Sequence, residues 1–332
     1  MRKITALLLG LLLTGCAGEA PSGPAAPNQD DAVVERAPAE DEIALGEPTD
    51  EAGYRKRGNT YFSQGDYDHA IEDYTNALAL QPDARAYYNR GVAYTAKNAF
   101  DDAIADYSES IKLDPGASSA YFNRGIVLHK IGKTAQAIAD LSKALELEPD
   151  DAGVPFNRAL MYLAISLPDK AIADFDKAIE KNPKYVEALI NRGFALHQIG
   201  QYTLAIRDFD EAIKLRPMNA LAYSNRGNAW SKKRNFEKAI QDHDEAIKHS
   251  SRDPQLYNNR GSVYGTMGEH TKAIVDFSRA IDLQTDFAAA YRNRGHAYHQ
   301  LGDTGNARAD FETAMQLDPA NIEGIPEQYF VK

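Results

Sequence analysis

The stretch ARAYYNRGVAYTAKNAFDDAIADYSESIKLDPGA, residues 84–117, decides the fold. It predicts a helical hairpin. A first helix runs over about the first 14 positions and a second over positions ~17 to ~30. Small residues, Gly91 on the first helix and Ala103 on the second, let the two approach closely, and Tyr94 and Tyr107 fill the space beside them. Asp114-Pro115 ends the second helix, because proline disfavours helix in the residue before it and has no N–H to continue the ladder.

The stretch recurs along the chain. Arg57, Arg90, Arg124, Arg158, Arg192, Arg226, Arg260 and Arg294 are spaced 33 residues once and 34 residues six times. Ala70, Ala103, Ala137, Ala171, Ala205, Ala239, Ala273 and Ala307 keep the same spacing, and the short interval is a deletion just after Pro82. The order Tyr87, Gly91, Tyr94, Ala103, Tyr107, Pro115 resembles the tetratricopeptide-repeat (TPR) family over residues 51–321. The resemblance implies an all-α fold, an α-solenoid wound as a right-handed superhelix of eight hairpin repeats: 51–83, 84–117, 118–151, 152–185, 186–219, 220–253, 254–287 and 288–321. A lone hairpin of this size buries too little to fold, so stability is a sum over stacked neighbours.

Some units depart from the pattern. Ala159 replaces the glycine of the fourth repeat, Ser251 and Thr285 replace prolines, and Arg308 replaces an isoleucine of the other repeats, as suits a polar end. Residues 322–332 form a tail interrupted by Pro326. Either Ile322, Ile325, Tyr329 and Phe330 cover the last hairpin, or that open end makes a homo-oligomer. The arginine of each repeat stands where the family commonly has an apolar residue. An aspartate follows sixteen residues later every time: Asp73, Asp106, Asp140, Asp174, Asp208, Asp242, Asp276 and Asp310. We expect each pair to meet across facing helices; the alternative is a ladder of ligand-binding arginines.

The 332 residues carry a net charge of -11 and a mean hydropathy of -0.49. Residues 17–51 hold ten acids against the single base Arg36, and no basic stripe suits a nucleic-acid backbone. Arg2 and Lys3 precede an apolar run from Ile4 to Thr14, too short to span a bilayer. Leu13-Thr14-Gly15-Cys16 resembles the lipobox of bacterial lipoproteins and contains the sole cysteine. The resemblance implies a signal peptide over 1–15, lipidation of Cys16 and a membrane anchor. Acyl chains in that number hold stably where one does not. Ala17 after the cysteine implies the periplasmic face of the outer membrane, where the host has one. Residues 16–50 read as an acidic tether rich in proline and alanine, too poor in apolar residues to fold.

In TPR proteins the first helices line a concave groove that takes protein or peptide partners. Carrying those positions over predicts an apolar, exposed strip of Tyr88, Val92, Phe122, Ile126, Phe156, Leu160, Leu163, Ile190 and Phe194, with His129 and His197 among them. Repeats six to eight turn polar. Asn89, Asn123, Asn157, Asn191, Asn225, Asn259 and Asn293 resemble the asparagine ladder of the O-GlcNAc transferase superhelix, which implies either peptide-backbone binding or hydrogen bonds within the scaffold. Arg55, Asn59 and Asn89 match half of the chaperone-type carboxylate clamp; Ser119 and Asn123 stand where it needs bases. His296 and His299 lie three apart without a supporting metal motif, and neither a phosphate loop nor a nucleophile–base set is evident. The expectation is a non-enzymatic, cofactor-free and metal-free adaptor of the envelope that binds protein partners and no nucleic acid; the alternative is an assembly factor, such as a pilotin or an outer-membrane assembly accessory.

Overall fold

The structure is a computed structural model that describes residues 48–320 and 324–330. The leader, Cys16, the tether up to residue 47, and Ile322 lie outside the described residues. The chain divides after Tyr185 into two units of four hairpins each. The first unit holds α1 (Glu51–Ser63), α2 (Tyr67–Leu80), α3 (Ala84–Ala96), α4 (Phe100–Leu113), α5 (Ser118–Lys130), α6 (Thr134–Leu147), α7 (Gly153–Ala164) and α8 (Pro168–Lys181). The second holds α9 (Val186–Gln198), α10 (Tyr202–Leu215), α11 (Ala220–Lys232), α12 (Phe236–His249), α13 (Pro254–Thr266), α14 (His270–Leu283), α15 (Ala288–Gln300) and α16 (Thr304–Leu317), then a 3-10 turn, Glu327–Tyr329. No strand occurs among the described residues.

Within a hairpin the two helices pack along their length, and within each unit the second helix of one hairpin packs on the first helix of the next, as α4 on α5 and α12 on α13 do. Aspartate and asparagine side chains start many of the helices: Asp83 accepts from the Ala86 N–H at 2.9 Å and Asn219 from the Ala222 N–H at 2.9 Å. Each first helix ends on a left-handed residue, which turns the chain back into the second helix. Glycine fills that position in five hairpins; Asn98, Ser166 and Arg234 fill it in the others at φ 57–59°.

The small residues act as predicted. A Cβ on Gly91 would stand 2.9 Å from the Tyr107 ring, and one on Gly193 would stand 2.7 Å from the Phe209 ring. The ring under the glycine is buried in each case. In the sixth repeat that place belongs to His243, fully buried beneath Gly227, with neither ring nitrogen hydrogen-bonded.

The arginine–aspartate expectation is met inside each hairpin. Arg158 Nε and Nη2 donate to Asp174 Oδ2 and Oδ1 at 2.6 and 2.7 Å. The other seven pairs repeat this fork, as in Arg57–Asp73, Arg124–Asp140 and Arg294–Asp310. In six of the arginines the remaining nitrogen, Nη1, reaches back into the preceding hairpin, fifteen residues for Arg90 and sixteen for the others. Arg90 donates to Thr75, Arg124 to Ser108 and Arg158 to Ser142, at 2.8–3.0 Å. Arg226 donates to Asp210 and Arg260 to Asp244, both at 2.6 Å. A tyrosine three residues before the arginine often covers the guanidinium, Tyr87 at 5.6 Å from Arg90 and Tyr223 at 5.4 Å from Arg226. These arginines bolt one hairpin to the next, so the alternative of a ligand-binding arginine ladder is corrected to a scaffold role.

The tail covers the last hairpin. Ile325 and Tyr329 are buried against Ala307 and Phe311, with Phe330 beside them, and the Arg308 guanidinium lies 5.7 Å over the Tyr329 ring. Of the two readings open in the sequence, the structure displays the one in which the tail covers the last hairpin.

Candidate functional site

The first helices carry the residues that the sequence assigns to partner binding, and the structure sorts them by depth. Tyr88, Val92 and Leu160 are half-buried, and Phe122, Ile126, Phe156, Leu163, Ile190 and Phe194 are buried. The expectation of an open apolar strip is corrected for these six. Phe122 and Ile126 join Leu141, Val154 and Met161 in one core cluster. The Phe156 ring sits 5.9 Å from Phe175 and 4.7 Å from Tyr185. Successive first helices touch, α3 with α5 and α5 with α7, and such contacts enclose side chains that would face solvent on a lone hairpin.

The asparagines also turn to the scaffold. Asn89 Nδ2 donates to Asn59 Oδ1, Asn123 to the Tyr88 hydroxyl, Asn259 to Ser224 Oγ and Asn293 to Asn258 Oδ1, at 2.9–3.2 Å. Each of these bonds links one first helix to the preceding one. Asn157 and Asn191 instead donate to backbone carbonyls in their own helices, Gly153 and Glu187, at 2.8 Å. Six of the seven amide donors are thus engaged within the fold, and of the two readings open in the sequence the structure displays the scaffold one. The Asn225 side chain is buried.

Two depressions open on first-helix faces. In the first unit, about 410 Å³ is bounded by Arg55, Asn59, Arg85, Tyr88, Asn89 and Ser119, with Glu148 at the rim. Arg55 is tied to Glu51 at 2.8 Å, and Asn59 Oδ1 accepts from both Tyr74 and Asn89. The residues that match half a carboxylate clamp are therefore already paired. Burial pushes the Tyr88 hydroxyl above its ordinary pKa, against the hydrogen bond from Asn123, so the group stays neutral.

In the second unit, about 300 Å³ is bounded by Ser262, Thr266, His270, Phe277, Asn293 and His296. Burial, then the charges of Arg292 and His299, hold His296 below its ordinary pKa. His299 and His296 face different partners: His299 Nδ1 meets the Tyr329 hydroxyl at 2.9 Å, and His296 lies edge-on to Phe311 at 4.9 Å. Burial also lowers His129, whose Nδ1 meets Thr134 at 3.0 Å, and His197 lies edge-on to Tyr202. The Arg55–Asn89 depression contains Arg55, Asn59, Tyr88 and Asn89, all of which the sequence singled out. The His270–His296 depression contains Asn293 and His296, singled out for other tasks, and its walls come from helices of two repeats.

Comparison with known proteins follows the geometry. Models described as tetratricopeptide repeat match residues 55–118, 118–151, 175–207 and 288–321, and one described as TPR repeat matches 195–233 and 266–302. No curated protein sequence matches the chain. Among solved structures, a tetratricopeptide repeat protein from Parabacteroides merdae is similar at 20% identity and a TM-score of 0.56, over 74% of this chain and 98% of that one. A structure reported with the functional characterization of pilF from Pseudomonas aeruginosa is similar at 20% identity and a TM-score of 0.52, over 62% of this chain and 94% of that one. Likenesses at that identity show the fold.

Proposed function

Because the chain belongs to the tetratricopeptide-repeat family, whose folds serve as protein-interaction scaffolds, we propose that it is an adaptor held to a membrane of the bacterial envelope by a lipidated Cys16. One observation carries the adaptor reading. Hairpins bolted together by the arginine Nη1 bonds present first-helix depressions whose walls come from more than one repeat, so a partner can be held across several hairpins without any one of them moving. The sole cysteine, placed after an apolar run and Leu13-Thr14-Gly15, supports the anchor. Acyl chains there supply membrane affinity. The periplasmic face of the outer membrane is the proposed location, from Ala17.

Two measurements test this. Metabolic labelling with an alkyne fatty acid should mark the chain and lose the mark in Cys16→Ser; an unlabelled wild type overturns the anchor. A photo-crosslinking residue at Arg85, on the rim of the first-unit depression, should capture discrete protein partners in intact cells, and one at Val275, which is 65% exposed on a second helix, should not. Equal yields from both positions overturn binding through the first-helix face.

A further inference from the structure

The hairpin tips differ sharply in charge. Over the seven positions that close each hairpin, the first repeat's tip (63–69) carries two more acids than bases and the eighth's (300–306) one more, whereas the sixth (232–238) holds Lys232, Lys233, Arg234 and Lys238 against Glu237 alone. In a chain of net charge -11, this is where positive charge collects. Lys232, Lys233, Arg234 and Lys238 are all exposed.

Three further observations single out this tip. Arg234 takes the left-handed backbone conformation, φ 59°, at the position where five hairpins use glycine. A side chain there is disfavoured, as it is for Asn98 and Ser166 at their own tips, and at the sixth tip it adds a cation to the cluster. The cations sit beside aromatic rings: Lys238 Nζ lies 4.3 Å over Trp230, the only tryptophan of the chain, and the Arg234 guanidinium lies 5.7 Å over Phe236. Lys233 also reaches the neighbouring tip. It donates to Thr203 and shares a shallow depression of about 300 Å³ with Tyr202 and with Leu204, which is 43% exposed.

We propose that the tips of the fifth and sixth repeats form a docking surface for an anionic, phosphate-bearing lipid membrane. Cations on long stems can meet phosphates while aromatic and aliphatic groups beside them enter the headgroup region. A cluster of about four lysines and arginines is the size that senses anionic lipid. A lipid surface needs no shape-specific cavity, and these side chains stand on a shallow edge. The proposal rests on the membrane anchoring proposed above for the presence of that surface, but its test does not depend on acylation.

The test uses the full-length chain with two sets of vesicles, phosphatidylcholine alone and phosphatidylcholine mixed with phosphatidylglycerol, both doped with brominated lipid. The apolar N-terminal run can carry the chain to either set, so the reading is the fluorescence of Trp230. Quenching and a blue shift are expected with phosphatidylglycerol and not without it. Lys232→Glu, Lys233→Glu and Arg234→Glu combined should raise the half-saturating lipid concentration about a hundredfold at low salt, from ~1 kcal/mol per cation. Arg234→Gly keeps the turn, should raise the unfolding midpoint, and should weaken docking about fivefold. Equal quenching by both vesicle sets, or docking unchanged in the triple variant, overturns the proposal. So does a shift of Trp230 emission by polyglutamate with the vesicles silent, which would assign the tip to an acidic protein instead.

Discussion

The two units use one lattice with different chemistry in its joints. In the first unit the arginine Nη1 atoms end on hydroxyls, Thr75, Ser108 and Ser142. In the second, Arg226 and Arg260 end on carboxylates, Asp210 and Asp244, and only Arg294 returns to a hydroxyl, Ser278. The same geometry thus carries hydroxyl joints in the first unit and a mixture of ionic and hydroxyl joints in the second. Burial opposes the charge on Arg226, but Asp242 and then Asp210 hold its guanidinium well above its ordinary pKa; Asp276, against burial, and then Asp244 do so for Arg260. The side chains beneath the small residues at the helix crossings differ as well. The first unit uses Tyr74, Tyr107 and Phe175 with Leu141, whereas the second places a titratable ring, His243, among Phe209, Phe277 and Phe311.

The largest expected effect lies in what the units share. The Asp174 side chain is 3% exposed and holds Arg158 by two bonds, so Asp174→Ala leaves a cation with no fork to receive it. Loss of one partner of a buried pair costs about 3–5 kcal/mol. Urea unfolding followed by circular dichroism should show that loss. Arg158→Leu with Asp174→Leu together should recover most of it, since replacement of both charges removes the orphan. Wild-type stability in Asp174→Ala would show that the forks are ornament rather than structure. The same cycle on Arg260 and Asp276 sharpens the comparison, because there Asp244 remains to receive part of the charge.

A second prediction separates the units by pH. Burial pushes His243 down to about 3, and the charge of Arg260 adds to the shift. An unfolded histidine titrates near 6.5, so between those values the unfolded chain binds a proton that the folded one refuses. His243 therefore leaves stability intact above pH ~6.5 and costs about 1.4 kcal/mol per pH unit as the pH falls from there towards 3. Other charges face it. Arg226–Asp242 lies across α11 and α12, and Arg260 with Asp276 and Asp244 lies on the α13 side. Asp242 is raised by burial in spite of Arg226, which acts in the opposite sense because the folded chain keeps that proton longer. Comparison with His243→Phe cancels these common terms. At pH 5 the variant should gain roughly 2 kcal/mol more than at pH 7.5. Hydrogen exchange should place the acid loss in α11–α13 and spare α3–α6; equal acid sensitivity in wild type and variant would remove His243 from the explanation.

Much of this fold was legible because it repeats. Eight in-register copies let Arg57 to Arg294 and Asp73 to Asp310 reveal their pairing before any coordinate, and the hairpin ends of residues 84–117 fall within a residue or so of those expected. Positions that depend on the neighbouring hairpin were read less well. Phe122 and Phe156 carry the signature of first-helix surface residues, yet they are buried, Phe122 in a cluster with Leu141 of its own hairpin and Met161 of the next, and Phe156 against Phe175 and Tyr185 of its own repeat. Thr75, Ser108, Ser142, Asp210, Asp244 and Ser278 also recur at the repeat period, but hydroxyls mixed with carboxylates hide a shared task that only the third arginine nitrogen exposes. The tail admits two readings in the sequence, and its packing is seen only in Tyr329 against Phe311.

The smallest effect tests the joints themselves. Asp244→Ser gives the second unit the acceptor that the first unit uses at the same register. The Asp244 side chain is 52% exposed, so water already screens its attraction to Arg260 and the side chain gives up rotamer freedom to make it. Replacement should cost about 0–1 kcal/mol in low salt. The informative reading is the salt dependence. Around 0.15 M salt the screening length is ~8 Å, so an exposed carboxylate joint should weaken between low and high salt while a hydroxyl joint holds. If the lattice requires only an acceptor sixteen residues back, wild type and Asp244→Ser should converge as salt rises. If they diverge, or if the variant loses several kcal/mol, the carboxylate does more than receive one hydrogen bond, and the second unit would be an electrostatically built stack where the first is a packed one.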